Sequence, residues 1–256
     1  MVVSIKTLVI REDDDKLSIC RSFHKEAPMT RQFIISKLVI PFMLLSGLGF
    51  AGEPTLSSAA LCETLSALVQ PGDLVFVEID NFVLRRVARA TGGWANHVGV
   101  VLEHSSQGWT VAESKVPLSQ TGSLCDLLER TRAPIAIRRH NRIWAANDMN
   151  DIKREVRARL GIAYDMKFNF DSKKQYCSKF VYEIFKAALD LELGKIETLG
   201  DIMDNMKDLP TYEEDLAFWE FYYGGEIPRN QRIVTPESQY RDANLRTIFD
   251  NSRWPH

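Results

Sequence analysis

Gln175-Tyr176-Cys177-Ser178-Lys179-Phe180-Val181-Tyr182-Glu183-Ile184-Phe185 places a cysteine where a loop turns into an amphipathic helix. Phe180, Ile184 and Ala187 or Ala188 recur at helical spacing, with Val181 and Phe185 one step round, so one broad face is apolar. Cys177 therefore falls in the first turn, where unpaired backbone N–H groups and the helix dipole favour negative charge. Such a position raises the thiolate fraction of a cysteine. The same N–H groups can hold an oxyanion during acyl transfer. A small buried hydrophobe is the other reading of a cysteine at this place.

Working outward, a helix over 147–160 ends at Gly161, and the Cys177 helix runs to about Leu193. Upstream, 52–70 reads as a short helix stopped by Pro71-Gly72. Strands are expected at Asp73–Val77, at the valine-rich Asn96–Glu103, and at Trp109–Ser114 after a turn at Ser105-Ser106-Gln107-Gly108. Short helices are expected over 81–91 and 122–130, with a strand at Ile135–Arg139. The tail from Leu199 is weakly patterned. Within it Phe218, Trp219, Phe221, Tyr222 and Tyr223 crowd together, as a core stripe or as a lid or acyl pocket. This order fits an α+β domain with an antiparallel sheet packed against helices.

With 256 residues, 45% of them apolar and 26% charged, the chain has ordinary globular composition and room for one sizeable domain. A net charge of -2 argues against a nucleic-acid partner, which calls for a basic face. Leu38–Phe50 is a run of thirteen mostly apolar residues, short for a bilayer span, preceded by Arg31 and Lys37 and followed by small residues. Residues 29–51 thus read as a secretory signal peptide, with a single N-terminal membrane anchor as the alternative. Residues 1–28, with the acidic run Glu12-Asp13-Asp14-Asp15, read as an extension ahead of a more normal start at Met29. Residues 52–256 are then the single mature domain. Cleavage after Ala51 removes seven of 32 basic and five of 34 acidic residues, leaving 25 against 29. It leaves Cys62, Cys125 and Cys177. In an oxidising compartment these allow one disulfide, and Cys62 with Cys125 is the pairing that spares Cys177. Spacing alone does not say whether that bridge forms.

A cysteine nucleophile needs a base, and the base an orienting partner. His24 precedes the apolar run, His256 is the last residue, and His104 and His140 read as solvated surface groups. His97 lies inside a valine strand, where a polar ring needs a hydrogen-bonding reason. Glu113 lies near the end of the return strand among apolar residues, and a buried carboxylate must be paired. The two share a face only if paired residue numbers across the hairpin have an even sum. Pairing Glu103 with Trp109 around a five-residue loop gives 212 and sets Glu113 diagonal to His97. A four-residue loop separates them. A structural histidine and an edge-strand charge are the plainer readings. A zinc site of His97, Cys177 and Glu113 lacks the four ligands at short paired spacings that structural zinc favours.

Pro71-Gly72-Asp73-Leu74-Val75, His97-Val98-Gly99-Val100, Glu113, Gly161-x-x-Tyr164-Asp165 and Tyr176-Cys177-Ser178 occur in this order. The set resembles the circularly permuted papain-like cysteine amidases of the NlpC/P60 superfamily, YaeF/YiiX branch, peptidase family C92. The resemblance covers about residues 71–245. Histidine precedes cysteine here, as in the permuted group, whereas ordinary NlpC/P60 enzymes have the reverse order. The resemblance implies a permuted papain-like fold, Cys177 as nucleophile, His97 as base, Glu113 as the group orienting the imidazole, and Tyr164 and Asp165 lining the site. It implies a hydrolase acting on an amide bond in a peptide, cell-wall fragment or N-acyl compound. With the signal-peptide reading, that hydrolase is expected to be exported, periplasmic or secreted, and no cofactor or metal is expected. Lys179 reads as a solvated charge. A thiol acyltransferase and a non-catalytic binding domain that retains the fold are the alternatives.

Overall fold

In the computed structural model, residues 58–252 are described. The extension, signal-peptide and anchor readings, with Cys20, His24 and His256, lie outside them. Helix α1 spans Ser58–Ser66, then β1 Leu74–Ile79, α2 Phe82–Ala90, β2 His97–Ser105, β3 Gly108–Ser114, β4 Ser119–Ser123, α3 Leu124–Glu129 and β5 Thr131–His140. There follow α4 Ala146–Arg159, α5 Cys177–Leu189, β6 Ile196–Thr198, α6 Leu199–Asn205, α7 Tyr212–Tyr223, β7 Arg232–Val234, α8 Pro236–Tyr240 and β8 Leu245–Asp250. Six strands form an antiparallel sheet in the order β4-β3-β2-β1-β5-β8. Strands β6 and β7 make a separate pair.

The middle strand β1 is apolar on both faces because helices cover both. Leu74 and Phe76 join Val98, Val100, Phe180, Ile184 and Phe185 in a core under α4 and α5. Val75 and Val77 face the other way, with Val101, Val111, Leu124, Leu127 and Leu65, under α1 and α3. The Cys62–Cys125 disulfide joins α1 to α3, leaving Cys177 as the free cysteine among the described residues. A third cluster gathers α2, α6 and α7 around Phe168, Tyr176 and Trp219. The aromatic run of α7 is core here: Trp219 is buried and Phe218 and Tyr222 pack against it, with Phe221 left exposed.

The β2–β3 register meets the even-sum condition by an unexpected route. Ser105 pairs with Gly108 around a two-residue turn, and Glu103 with Thr110, an odd sum. An irregularity between Val101 and Glu103 then restores the even sum, with Val101 opposite Val111 and Val100 opposite Ala112. His97 and Glu113 therefore share a face with Val101 and Val111. Between them Gly99 keeps that face open, for a Cβ there would lie 2.7 Å from Val111 Cγ1. His140 departs from expectation: it is buried, stacked on Trp144, with its Nδ1 accepting the Arg142 N–H at 3.0 Å.

Candidate active site

Helix α5 begins at Cys177 because Tyr176 is extended (φ -135°, ψ 167°) and no side chain caps the first turn. The neighbouring side chains are spent on fixing that terminus. Ser178 Oγ donates to the Val234 carbonyl at 2.8 Å, and the Tyr176 hydroxyl accepts the Val234 N–H at 3.1 Å. Lys179 is not a solvated charge: it is 2% exposed, and its Nζ donates to the carbonyls of Ser172 (2.5 Å) and Lys174 (2.9 Å). A buried ammonium demands such partners, and here they fasten the loop that leads into Cys177. The first-turn amides of Cys177, Ser178 and Lys179 have no intrahelical partners, as at any helix N-terminus, and are open to an anion.

Cys177 is 3% exposed, with Sγ 4.0 Å from the carbonyl oxygen of Asn96. Asn96 is held in turn by two bonds to Ile79: Oδ1 accepts its N–H at 2.8 Å, and Nδ2 donates to its carbonyl at 3.1 Å. Just upstream, buried Glu237 accepts the N–H groups of Trp94 (3.2 Å) and Ala95 (3.1 Å) and pairs with Arg241 Nε at 2.7 Å. Its carboxylate occupies the space beside Gly93, where a Cβ would lie 1.9 Å from Glu237 Cδ. Gly93→Ala is expected to displace this clamp and cost about 1–3 kcal/mol by overpacking. Urea unfolding measures it, and an unchanged midpoint would contradict the assignment.

His97, the first residue of β2, gives Nε2 to Glu113 Oε2 at 2.6 Å, which leaves Nδ1 for the thiol. Glu113 Oε1 meets Arg130 Nη2 at 2.5 Å and Lys115 Nζ at 2.9 Å. Burial alone would strip His97 of its proton, but the Cys177 thiolate and the Glu113 carboxylate outweigh it and push the imidazole up to about 9. Burial likewise opposes charge on Glu113, yet His97 and Arg130 hold its carboxyl well below the usual carboxylate range. The arrangement favours the protonated ring, set between the Glu113 carboxylate and the Cys177 sulfur.

Tyr164 and Asp165 reach the site by pairing with Gln175, two residues before the cysteine. Asp165 N–H donates to the Gln175 carbonyl at 2.6 Å, and Gln175 N–H to that of Ala163 at 3.0 Å. The buried Tyr164 hydroxyl is held protonated, first by burial and then by the charge of Cys177 beside it. Asp165 is buried too, but its Oδ1 accepts the Lys167 N–H at 2.9 Å and closes a turn. Cys177 lines a crevice of about 10 Å³ with Asn96 and Tyr164. Leu84, Tyr164 and Phe168 divide it from a cavity of about 340 Å³ that is also lined by His97, Lys115 and Arg130. A larger hollow of about 910 Å³ between Arg85, Arg89 and Trp94 contains none of these groups.

Sequence reading had singled out Cys177, His97, Glu113 and Tyr164, which the fold brings together. It missed Asn96, Lys115, Arg130 and Glu237. For the two cations the signal was present in part, since a buried carboxylate requires positive partners, but only the tertiary fold says which.

Known proteins share the fold of this chain. The family model described as permuted papain-like amidase enzyme, YaeF/YiiX, C92 family, matches residues 68–249. The uncharacterized protein YiiX of Escherichia coli K12 is 22% identical over 220 residues, covering 86% of this chain and 97% of YiiX. The crystal structure of metalloprotein YiiX from Escherichia coli O157:H7, DUF1105, superposes with a TM-score of 0.65 at 21% identity, covering 73% of this chain and 99% of that one. The helix that opens on a buried cysteine and the histidine strand that precedes it in the chain thus sit in a permuted papain-like domain, and the chain belongs to the C92 family of YaeF/YiiX-type papain-like amidases.

Proposed function

We propose that the chain is an exported cysteine hydrolase that cleaves an amide bond through Cys177, His97 and Glu113. The observation that carries this is the 2.6 Å contact of His97 with a buried, cation-held Glu113, made beside the free thiol at the start of α5. The Cys177 thiolate attacks the carbonyl carbon, and the oxygen takes the negative charge. First-turn amides of α5 and the Tyr164 hydroxyl are the donors placed to receive it. As the C–N bond breaks, the His97 imidazolium gives its proton to the departing nitrogen, leaving a thioester on Cys177. His97, now neutral, takes a proton from water as it attacks, and cleavage of the C–S bond frees the acid and restores the thiolate. Glu113 orients the ring and stabilises its charged form throughout. The Cys62–Cys125 disulfide supports export, since such bonds persist in oxidising compartments.

YiiX is described as a metalloprotein. The donor set here does not fit a metal: both Glu113 oxygens are engaged, one of them by two cations. Among the described residues no group of three or more His, Cys, Asp or Glu side chains is placed to hold one.

Labelling of the native protein with iodoacetamide, read by peptide mass spectrometry, tests the nucleophile. Cys177 is expected to be alkylated, and an acyl adduct on Cys177 is expected after incubation with envelope extracts, absent in Cys177→Ala. A Cys177 that labels no faster in the folded protein than in urea, with no adduct, would overturn the proposal.

A further inference from the structure

The cavity of about 340 Å³ beside the thiol crevice is lined by two unlike kinds of residue. Val83, Val116 and Met166 are apolar, and Val116 (62% exposed) and Met166 (47%) carry that apolar surface out to solvent. Lys115 and Arg130 are cationic, at 26% and 34% side-chain exposure. Glu113 lies behind them, 2% exposed, and no carboxylate among the described residues lines the cavity.

The charges do not balance. The Cys177–His97 pair is neutral overall whether its proton sits on sulfur or on the ring, and Lys115 and Arg130 share one Glu113 oxygen, so one positive charge is left facing the hollow. Holding Glu113 ionised does not require both cations, because Arg130 at 2.5 Å and His97 at 2.6 Å already engage its two oxygens. Lys115 is the surplus one. We infer that this cavity selects amphiphilic amides, with an apolar chain along Val83, Val116 and Met166 and an anionic group, carboxylate or phosphate, close to the scissile carbonyl where Lys115 reads it. The inference rests on Cys177 being the nucleophile.

Iodoacetate and iodoacetamide, near-isosteric reagents that differ in charge, test this on the full chain. The ratio of their rates at Cys177 is expected to exceed the ratio for glutathione by about fivefold, the scale of a partly exposed charge pair. In Lys115→Gln it is expected to fall back to the glutathione value, any change in the thiol itself cancelling in the ratio. Calorimetry with N-dodecanoylglycine, N-dodecanoylphosphoethanolamine and neutral N-dodecanoylethanolamine supplies the second arm. At least one anion should bind tighter than the neutral compound, the identity of that anion naming the headgroup, and Lys115→Gln should close the gap. A rate ratio unchanged by the substitution, or a neutral compound that binds as tightly as both anions, overturns the inference while leaving the nucleophile standing. A Cys177 unlabelled by iodoacetamide sinks the nucleophile, and the inference with it.

Discussion

Glu113→Gln is expected to lower kcat/KM for amide hydrolysis by about 10²–10⁴, the range for a disabled acid–base pair, and to pull the alkaline limb of the pH profile down from about 9. Three effects run the same way. The carboxylate that accepts from His97 Nε2 at 2.6 Å is replaced by a neutral amide, so the imidazolium loses its charge partner. Arg130 and Lys115 are left uncompensated beside the ring and repel its proton. Burial, which already opposes charge on His97, is then offset by Cys177 alone. A downward shift of about 1–3 pH units in the limb is the size expected for losing one close opposite charge.

The same pair fixes the signs of a stability profile. The folded-state His97 value lies above its ordinary 6.5, so its contribution is complete below that value and lost as pH rises through about 9. Glu113 is held below its ordinary 4.5, so its contribution is present above that value and lost as pH falls through the depressed one. Wild type should thus be firmest between these limits, and Glu113→Gln should flatten both edges of a plot of Tm against pH. An alkaline limb that stays near 9 in the variant would show that Glu113 does not govern His97.

The parts that were legible in the sequence are those where one period runs long enough to be counted. Helix α5 has its apolar face on Phe180, Ile184 and Phe185, and β1 and β2 are valine-rich, so their existence and order followed from pattern. The hairpin condition linking His97 to Glu113 was also readable, but its solution was not. A bulge near Leu102 changes the register without leaving a composition signal, and a two-residue turn of Ser106 and Gln107 lacks the Asn-Gly or Gly-Gly signature of tight hairpins. The C-terminal third failed for another reason. Its strands β6 and β7 have three residues each and α8 has five, too short for any period. Capping boxes at Thr198 with Asp201 and at Thr235 with Ser238, the latter followed by Pro236, were the available local signals there. Lys179 misled because its burial depends on carbonyls presented by a preceding loop, and His140 because its ring stacks on a tryptophan four residues on.

Cys62→Ser/Cys125→Ser is expected to cost about 2–4 kcal/mol of stability, near the upper part of the range for one crosslink. The bridge closes a separation of 63 residues, with Cα atoms 5.4 Å apart. A loop of that length removes considerable freedom from the unfolded chain, on the order of 4 kcal/mol in the chain-entropy account before any offset. The bond also secures a short element. Helix α1 has nine residues and is seated by buried Leu65 and by its Ser66 carbonyl, which accepts from Trp109 Nε1 at 2.8 Å, so the bridge is one of its few ties. For a domain of this size the loss corresponds to a fall in Tm of about 5–15 °C, measured by thermal unfolding beside wild type with and without reductant. Labelling of Cys177 by iodoacetamide should persist at 25 °C, because Glu113, Arg130 and Lys115 are held by contacts at the α3 terminus and β3 rather than by the bridge. Single Cys62→Ser should behave differently, since it releases Cys125 as a second reactive thiol and gives oxidation a new partner for Cys177. Equal melting of the double variant and wild type would remove the bridge as a source of stability, and loss of Cys177 labelling in the double variant would tie the site to α1.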